Sequence, residues 1–357
     1  MRLLIIGPIA QRIVGGQEVE AALLLGRWQA DSGAEVSFLP NNPALPKWMR
    51  PIEQIPYIRT AARLPIYARS VWRTMSRVDA VHVFSAAYSS FLLTSLPAWL
   101  ISRWHRKRFI LNYHTARHWQ KFAASRIARF VLTRTDIIVV PSAYLAAKFE
   151  GLGFSASIVP NIIDDRFQYR PRIILQPRLI CARTLSPDYG IDVVLNAFSL
   201  VQSQHPEASL YVVGEGPLRR KLEAQARALG LSGVEFCGRV PNDQMPEWYE
   251  RADIFLNASV VDNAPLSMLE AFACGLPVVT TAAGGIPLMV SHEETALVAP
   301  VGDAQALADH VLRLLRGPAL AAKLARHAHE QLAAHRWSSV REKWLEVYLP
   351  KSDANCH

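Results

Sequence analysis

Short apolar runs rich in β-branched residues alternate with amphipathic helical patterns along this chain of 357 residues. Six such runs in each half have the length of a buried strand, among them Ile137–Val140 and Ser209–Val213. Helical patterns, for example at residues 19–31 and 218–229, separate most of these runs. Because strands that alternate with helices form βαβ units, the pattern predicts an α/β fold built on parallel sheets.

The length of the chain favours two domains over one. A break falls at Pro160-Asn161, and a charged segment with prolines follows it at residues 164–177. We therefore predict an N-terminal domain at residues 1–165 and a C-terminal domain at residues 166–336. A last helix is expected at about 337–350, and its periodicity leaves open whether it packs back on the first domain.

The excess of basic residues belongs to the first half. Residues 1–165 contain 20 lysines and arginines against 10 acidic residues, whereas residues 166–357 contain 19 against 20. Arg69, Arg73 and Arg77 recur every four residues opposite apolar positions, and a second basic cluster at 103–108 adjoins Trp104. A basic amphipathic helix can lie on anionic lipid, although a solvated helix face gives the same pattern. Together these features favour an anionic partner or a membrane surface for the first half. Nucleic acid is not expected, because aromatic residues do not interleave with the basic runs.

Several classes of protein are disfavoured by the sequence. The longest apolar stretch, residues 91–101, contains Pro97 and is about half of a membrane span, and the N-terminus lacks the pattern of a signal peptide. The cysteines are scattered without a CxxC pair, and no HExxH spacing occurs, so we expect reduced thiols and no metal site. The expected location is the cytoplasm, with the basic first domain peripheral on the inner face of the membrane.

Two adjacent glycines, Gly15 and Gly16, precede the first helical pattern. The surrounding residues match neither GxGxxG nor a P-loop, so a dehydrogenase is poorly supported. Glycines at a helix start let the backbone approach a phosphate or a sugar closely, and an ordinary tight turn is the alternative interpretation.

The densest signal lies around Asp262 and Glu270. A strand is predicted before this stretch, Pro265 suits the first turn of a helix, and Gly275 suits its C-terminal cap. The free N–H groups at the start of such a helix can bind a diphosphate, and both carboxylates could face the same ligand. The alternative is that Asp262 caps the helix and Glu270 is a solvated helix residue.

The stretch from Pro265 to Val279 has the form Pro-Leu-x-x-Leu-Glu-Ala-x-Ala-x-Gly-x-Pro-Val-Val, with Asp262 eight positions before Glu270. This setting resembles the retaining family 4 of glycosyltransferases. Further matches in the same order occur at Gly15-Gly16, Val140-Pro141-Ser142, Pro160-Asn161, Val213-Gly214-Glu215-Gly216-Pro217 and Phe236-Cys237-Gly238-Arg239. The resemblance implies the GT-B fold, in which two doubly wound Rossmann-like domains face each other across a cleft.

The resemblance also implies roles for individual residues. Glu270 would hold the donor ribose, Asp262 the transferred sugar, and Arg183 the diphosphate. His114 resembles the histidine of the family near the donor sugar, and a hydrogen-bonded core histidine is the alternative. The remaining implied substrate-binding positions are Gly15, Gly16, Gly214, Glu215, Asn263, Ala264, Pro265 and Leu266.

The function implied is transfer of a sugar, with retention, from a UDP- or GDP-linked donor to an acceptor hydroxyl. The acceptor is expected to be anionic, lipid-linked or a growing glycan, and no cofactor or metal is expected. Two departures matter: Asp262 replaces a glutamate, and Tyr189 replaces a lysine that contacts the diphosphate, with Arg172 or Arg178 near enough in sequence to supply the charge. These departures leave a catalytically weak or inactive binding subunit as the alternative, followed by a nucleotide-sugar epimerase.

Overall fold

The computed structural model describes residues 1–8, 15–31, 33, 35–85 and 88–349, and these residues form two compact units. Unit 1 comprises Met1–Pro160 together with the described residues from Val340 onward, and unit 2 comprises Asn161–Ser339. The sequence prediction placed the corresponding boundaries after residues 165 and 336. The last helix, Trp337–Tyr348, therefore belongs mainly to unit 1, because only its first three residues lie before Val340.

Unit 1 contains a parallel sheet of six described strands. The strands are β1 (Arg2–Gly7), β2 (Glu35–Pro40), β3 (Ala80–Ser85), β4 (Arg108–Tyr113), β5 (Ile137–Val140) and β6 (Ser157–Ile158). Their order across the sheet is β2-β1-β3-β4-β5-β6. The flanking helices are α1 (Gly16–Gln29), α2 (Pro56–Met75), α3 (Tyr88–Ser90), α4 (Leu96–Trp104), α5 (Trp119–Ala123), α6 (Arg126–Leu132) and α7 (Ala143–Glu150). A 3₁₀ segment at Lys47–Gln54 precedes α2, and a π-helical turn at Phe91–Ser95 leads into α4.

Unit 2 repeats this architecture with a second parallel sheet of six described strands. The strands are β7 (Arg178–Ala182), β8 (Ser209–Val213), β9 (Val234–Gly238), β10 (Ile254–Leu256), β11 (Val278–Thr281) and β12 (Leu297–Ala299). The helices are α8 (Ile191–Gln204), α9 (Arg219–Ala228), α10 (Met245–Arg251), α11 (Leu266–Ala273), α12 (Ala304–Arg316) and α13 (Pro318–Glu330), and the chain ends its described part with α14 (Trp337–Tyr348). Short 3₁₀ segments lie at Pro187–Tyr189, Ile286–Leu288 and Gln331–His335.

The central strands of both sheets are buried on both faces, which explains their nearly continuous apolar sequences. All six residues of β3 and all three residues of β10 are buried. In each unit the core lies between the sheet and its helices, as expected for doubly wound folds. The predicted fold class, two doubly wound Rossmann-like domains, is confirmed.

The order of strands in unit 2, β12-β11-β10-β7-β8-β9, contains a switch point. From β7 the chain continues to β8 and β9 on one side, and then returns to add β10, β11 and β12 on the other side. The loops that follow β7 and β10 therefore diverge at the carboxyl ends of two neighbouring strands. Ligands of open parallel sheets bind in such a crevice.

Helix α14 packs on the sheet of unit 1 through aromatic residues. Its Tyr348 hydroxyl lies 2.8 Å from Nδ1 of the buried His82 on β3, and Asn112 Nδ2 lies 3.0 Å from the Nε2 atom of the same ring. The His82 ring also packs against Trp344 in a tilted arrangement at 4.7 Å between centroids, and Arg108 donates to the Tyr348 carbonyl at 2.6 Å. These contacts make α14 an integral part of unit 1.

The structure corrects the interpretation of α2 as an amphipathic helix whose apolar face lies on lipid. Its apolar residues Tyr67, Val71 and Met75 are buried in the core of unit 1, where each contributes about 1.5–3 kcal/mol, so this face cannot enter a membrane. Arg69, Arg73 and Arg77 lie on the exposed face or just beyond it. None of the helices in the described ranges has the length and apolar character needed to cross a bilayer.

Potential metal ligands are dispersed in the part of the chain that the structure describes. Cys181 and Cys274 are buried and Cys237 is half-buried, all three as free thiols, while Cys356 lies outside the described residues. Among the described ranges, no group of three His, Cys, Asp or Glu side chains is arranged to hold a metal ion.

Candidate active site

The candidate site of unit 2 lies at the switch point of its sheet. Strands β7 and β10 are parallel neighbours, with Leu179 opposite Ile254. Arg183 directly follows β7, and the loop that carries Asp262 follows β10. Because the carboxyl ends of parallel strands meet at the same edge, the topology brings these two residues together.

Arg183 and Asp262 form an ion pair that is almost completely removed from solvent. Their side chains are 9% and 11% exposed, respectively. The guanidinium also donates to Ser259 Oγ at 3.1 Å and contacts Ser267 Oγ at 3.4 Å. Burial lowers the pKa of Arg183 from its ordinary value. Removing two charges from water is costly, so a buried pair of this kind is weak evidence for stability and favours a functional reason for the arrangement.

The loop of Asp262 is fixed from two sides. Asp262 Oδ1 accepts a hydrogen bond from the Asn263 amide at 2.9 Å, and Oδ2 lies 2.9 Å from Ser259 Oγ. The carbonyl oxygen of Asp262 accepts from the Gly285 amide at 3.1 Å. At Gly284, whose φ is 55°, an added Cβ would lie 2.1 Å from that carbonyl, so only glycine fits there. The cap position of α11 is Pro265, and no side chain among the described residues caps the helix. The alternative that Asp262 caps α11 is therefore wrong.

Glu270 is a buried residue of α11, so its interpretation as a solvated helix residue is also wrong. Its Oε2 atom accepts a hydrogen bond of 2.7 Å from the hydroxyl of the buried Tyr249 on α10. Burial raises the pKa of Glu270 to about 7, and Asp164 acts in the same direction. The Tyr249 hydrogen bond, Arg166 and Arg183 oppose this increase. The carboxyl group can therefore change its ionisation near neutral pH.

The start of α11 presents amide groups that no cap side chain accepts. Pro265 occupies the cap position and the helix begins at Leu266, one residue later than the sequence prediction placed it. The carbonyl of Ala264 accepts a hydrogen bond from Asn161 Nδ2 at 3.1 Å, which fixes the approach to the helix. At the other end, Gly275 has a φ of 73° and ends the helix as predicted. The open first turn suits an anion.

Gly214 and Glu215 follow β8 beside the loop of Arg183. A Cβ at Gly214 would lie 2.0 Å from the Arg183 carbonyl oxygen, so the two backbones are in direct contact. The Glu215 carbonyl accepts from the Leu185 amide at 3.1 Å. The Glu215 carboxylate forms a 2.7 Å ion pair with Arg219. Their implied roles in substrate binding stay predictions.

Tyr189, which stands where the family has a lysine, stacks on Arg183. The guanidinium carbon lies 4.3 Å from the centre of the Tyr189 ring, within the range of a cation–π contact. Neither arginine named as a replacement for the lysine is available. Arg172 donates to the carbonyls of Cys274 and Tyr249 at two helix ends, and Arg178, at the opposite end of β7, pairs with Asp253 at 2.6 Å.

The predicted site residues of unit 1 lie at the start of α1 and directly after β4. Gly15 caps α1 and Gly16 begins it, and the Gly15 amide donates to Glu18 Oε2 at 3.1 Å. His114 follows β4, its amide donates to the Ser85 carbonyl at 3.0 Å, and its ring stacks on Phe84 at 5.2 Å. Burial lowers the pKa of His114 to about 3, so the ring is neutral at physiological pH. The residue is half-buried, and both its catalytic role and the core-histidine alternative stay predictions.

Three side chains of the site were not identified from the sequence: Tyr249, Ser259 and Ser267. Ser259 stands at the start of the stretch around Asp262, so its position after a strand was a usable signal. Ser267 lies in the first turn of the predicted helix, where a hydroxyl often binds an anion. Tyr249 is far from Glu270 in sequence and no local pattern identifies it.

Comparisons with known proteins show the family to which this chain belongs. The family model for glycosyl transferases group 1 matches residues 176–317. The family model for the glycosyl transferase 4-like domain matches residues 15–161. A GDP-mannose-dependent alpha-(1-6)-phosphatidylinositol monomannoside mannosyltransferase of Mycobacterium tuberculosis is 30% identical over 255 residues. This match covers 64% of the chain and 66% of the length of that relative.

Two solved structures share the fold of the whole chain. The structure of Anabaena HepE in complex with UDP and glucose has a TM-score of 0.75 at 17% identity, with 97% of this chain and 99% of that chain covered. The sucrose-phosphate synthase of Thermosynechococcus elongatus has a TM-score of 0.74 at 20% identity, with 98% of each chain covered. From its two family models, its relatives and its fold, the chain belongs to family 4 of the glycosyltransferases (group 1), which have the GT-B fold.

Proposed function

We propose that this protein transfers a hexose from a nucleoside diphosphate sugar to an acceptor hydroxyl with retention of the anomeric configuration. The observation that carries the proposal is the buried Arg183–Asp262 pair beside Glu270 at the switch point of unit 2. The parts of this site match the parts of a nucleotide-sugar. Arg183 and the open first turn of α11 suit the diphosphate, Asp262 suits the transferred sugar, and Glu270 suits the ribose hydroxyls.

The reaction breaks the bond between C1 of the sugar and the diphosphate oxygen, which keeps the electron pair. Arg183 and the amide groups at the start of α11 stabilise the negative charge that develops on the diphosphate. The acceptor oxygen forms the new bond to C1 on the face that the diphosphate leaves. The proton of the acceptor hydroxyl passes to a diphosphate oxygen, so no protein nucleophile is needed.

The donor and the acceptor are proposed from chemistry and from relatives. The mycobacterial relative is named as GDP-mannose-dependent and acts on a phosphatidylinositol monomannoside, and HepE was solved with UDP and glucose. We propose a GDP- or UDP-linked hexose as donor. The basic first half favours an anionic acceptor that is lipid-linked or a growing glycan.

Incubation of the protein with a panel of UDP- and GDP-sugars, with and without anionic glycolipid acceptors, tests this function. Release of the nucleoside diphosphate and transfer to the acceptor are expected for the wild type, with loss of at least about 100-fold in Arg183→Ala. Proton NMR of the product reports the anomeric configuration, and inversion at C1 would refute the retaining mechanism.

A non-catalytic nucleotide-sugar-binding subunit is the second candidate, favoured by Tyr189 and Asp262 at positions where the family has lysine and glutamate. It would bind a nucleoside diphosphate sugar without turnover, and Arg183→Ala would leave that binding unchanged. Conversion of the donor sugar in the absence of any acceptor would instead indicate an epimerase.

We further propose that turnover requires no metal ion, because Arg183 and the amides of α11 supply the charge that a cation would provide at the diphosphate. Treatment with EDTA followed by gel filtration is expected to leave the rate unchanged. A loss of activity that Mg²⁺ or Mn²⁺ restores would contradict this proposal.

We also propose that unit 1 binds anionic membranes through an exposed surface of α2 and α4. Trp72 and Trp104 lie here with their ring centroids 6.1 Å apart, and Trp104 is 75% exposed. Arg69 and Arg73 flank Trp72, and neither forms an ion pair with any residue that the structure describes. The basic cluster at 103–108 is expected to contribute less to membrane binding than its charge suggests. Arg103 contacts Asp136 at 3.5 Å, and Arg108 donates to the Tyr348 carbonyl.

Sedimentation with phosphatidylglycerol and phosphatidylcholine vesicles tests the membrane proposal. The wild type is expected to bind the anionic vesicles only, and the triple variant Arg69→Glu, Arg73→Glu, Arg77→Glu to lose most of this binding, at about 1 kcal/mol per neutralised residue. A charge-matched control carries glutamate at the exposed α9 positions Arg220, Lys221 and Arg227 of unit 2. Equal losses in both variants would show that only net charge matters.

A further inference from the structure

Arg183 is held by contacts that differ in strength and direction. The ion pair with Asp262 and the hydrogen bond to Ser259 lie on one side of the guanidinium, and the contact with Ser267 is long at 3.4 Å. Its Nε atom is buried and has no hydrogen-bond partner among the described residues. The remaining large contact is the face of the Tyr189 ring at 4.3 Å. The ring therefore covers a face that no hydrogen bond restrains.

Tyr189 itself is rigidly attached to the loop of Asp262. It ends a 3₁₀ turn, Pro187–Tyr189, and the next residue, Gly190, has a φ of 58° that disfavours other residues. A Cβ at Gly190 would lie 2.1 Å from the Ala258 carbonyl oxygen, so the turn is in direct contact with the loop after β10. The amides of Val260 and Val261 both donate to the Asp188 carbonyl, at 2.8 and 3.1 Å. One rigid assembly thus presents the aromatic ring and the carboxylate to the same guanidinium.

We propose that Tyr189 is a positioning residue for the diphosphate subsite, where its ring holds the guanidinium of Arg183 in the plane needed to bind the donor. This inference rests on the proposed function and deepens it. The tyrosine then has a role of its own in the site, different from that of the lysine it replaces. A flat ring suits a planar guanidinium. Contact with the ring face restrains the tilt of the guanidinium and leaves the N–H groups at the guanidinium edge free to donate.

The same geometry predicts what a lysine would do at position 189. An ammonium group there would approach a guanidinium that is only 9% exposed and has one paired carboxylate, Asp262. Two cations with one anion in a poorly solvated site repel each other and displace Arg183. Restoring the lysine of the family is therefore expected to weaken the subsite in this protein.

The test uses Tyr189→Phe, Tyr189→Leu and Tyr189→Lys in the full chain, with Tyr211→Leu as a control. Tyr211 is a half-buried residue of β8 whose ring packs on Trp248 at 5.7 Å, so its loss removes a similar aromatic contact at another place in unit 2. The readouts are kcat, KM for the donor, the Kd of UDP and GDP by calorimetry, and the thermal midpoint.

We expect Tyr189→Phe to stay within about 2-fold of the wild type, since the ring face is kept. Tyr189→Leu is expected to weaken binding of the preferred nucleoside diphosphate and to lower kcat/KM by about 5- to 30-fold, and Tyr189→Lys to bring no gain. The Tyr211→Leu control is expected to lower the thermal midpoint without this loss. Binding equal to wild type in Tyr189→Leu, or faster turnover in Tyr189→Lys, would overturn the inference.

A double-mutant cycle with Arg183→Ala separates positioning from a general structural role. If Tyr189 acts through Arg183, then Tyr189→Leu has no further effect on nucleoside diphosphate binding once Arg183 is removed. Additive losses would refute the inference. Because the cycle uses binding alone, it decides the role of Tyr189 even if the wild type shows no sugar transfer, which would refute the proposed function separately.

Discussion

The phenolic oxygen of Tyr249 lies 2.7 Å from Oε2 of Glu270, and both side chains are buried in unit 2. Burial raises the pKa of Tyr249 well above its ordinary value, so the hydroxyl keeps its proton and donates a hydrogen bond to the carboxyl group. One carboxyl oxygen is thereby occupied by the protein, and the other remains to accept hydroxyl groups of a ligand.

Replacing Tyr249 with phenylalanine removes the donor that favours the ionised form of Glu270. The pKa of Glu270, about 7 in the wild type, is then expected to rise further. Ribose hydroxyls donate to the carboxylate, so binding of UDP or GDP at pH 7 is expected to weaken by about tenfold and to recover at higher pH. Calorimetric titrations between pH 6 and 9 measure this shift. Tyr211→Phe serves as the control, and an unshifted pH profile in Tyr249→Phe would contradict the assignment.

Replacing Glu270 with glutamine is expected to stabilise the protein at alkaline pH while it impairs donor binding. The pKa of Glu270 is about 7 in the folded chain and near 4.5 in the unfolded chain, so between these values the folded state binds more protons. The free energy of unfolding of the wild type therefore falls as pH rises through this window, by up to about 3 kcal/mol. Urea denaturation at pH 5 and pH 8 should show a gain for the variant at pH 8 and little difference at pH 5. A gain of the same size at both pH values would show that ionisation is not its cause.

Replacing Asp262 with asparagine leaves the guanidinium of Arg183 buried without its counter-charge. Breaking a buried pair in this way is expected to lower the free energy of unfolding by about 3–5 kcal/mol. The double variant Asp262→Asn, Arg183→Met should recover much of this loss, because it removes the unpaired charge. As a control, Asp79→Asn breaks the exposed pair with Arg2 and should change stability little. Urea midpoints that are equal for the Asp262 and Asp79 variants would argue against a buried pair.

His82, which lies beneath α14, is expected to make the stability of unit 1 sensitive to acid. Burial lowers the pKa of His82 to about 3, whereas the unfolded value is near 6.5, so the unfolded state binds the extra proton in between. The contribution of His82 to stability is present above pH 6.5 and falls at lower pH by about 1.4 kcal/mol per pH unit. The difference in unfolding free energy between wild type and His82→Gln should shrink accordingly from pH 7 to pH 5. A constant difference would mean that the ring titrates in the folded chain as it does in the unfolded chain.

The sequence predicted the sheets well because strands buried on both faces have an unmistakable composition. Ile137–Val140 and Ser209–Val213 are strands with the predicted bounds. The switch point that brings Arg183 to Asp262 could be predicted only through the family resemblance, because strand order depends on pairings between distant segments. The helix of Glu270 was placed to within one residue, since proline and glycine mark its ends.

Contacts between distant side chains could not be predicted. The charge periodicity of Arg69 and Arg73 is compatible with a free amphipathic helix, and only the packing of Tyr67 and Val71 in the core shows that the apolar face is covered. Likewise, a tyrosine in place of a lysine suggests a lost cation when the sequence is considered alone. The ring of Tyr189 on the guanidinium of Arg183 gives that substitution another meaning.

The position of α14 has a consequence for the order in which the chain folds during synthesis. Unit 2 is continuous, Asn161–Ser339, so all of it has been translated before the ribosome reaches the end of α14. Unit 1 begins first but lacks Trp344 and Tyr348 until α14 has been translated, and His82 stays uncovered until then. Although domains usually complete their folding from the N-terminus onward, here the nascent second unit can become native before the first.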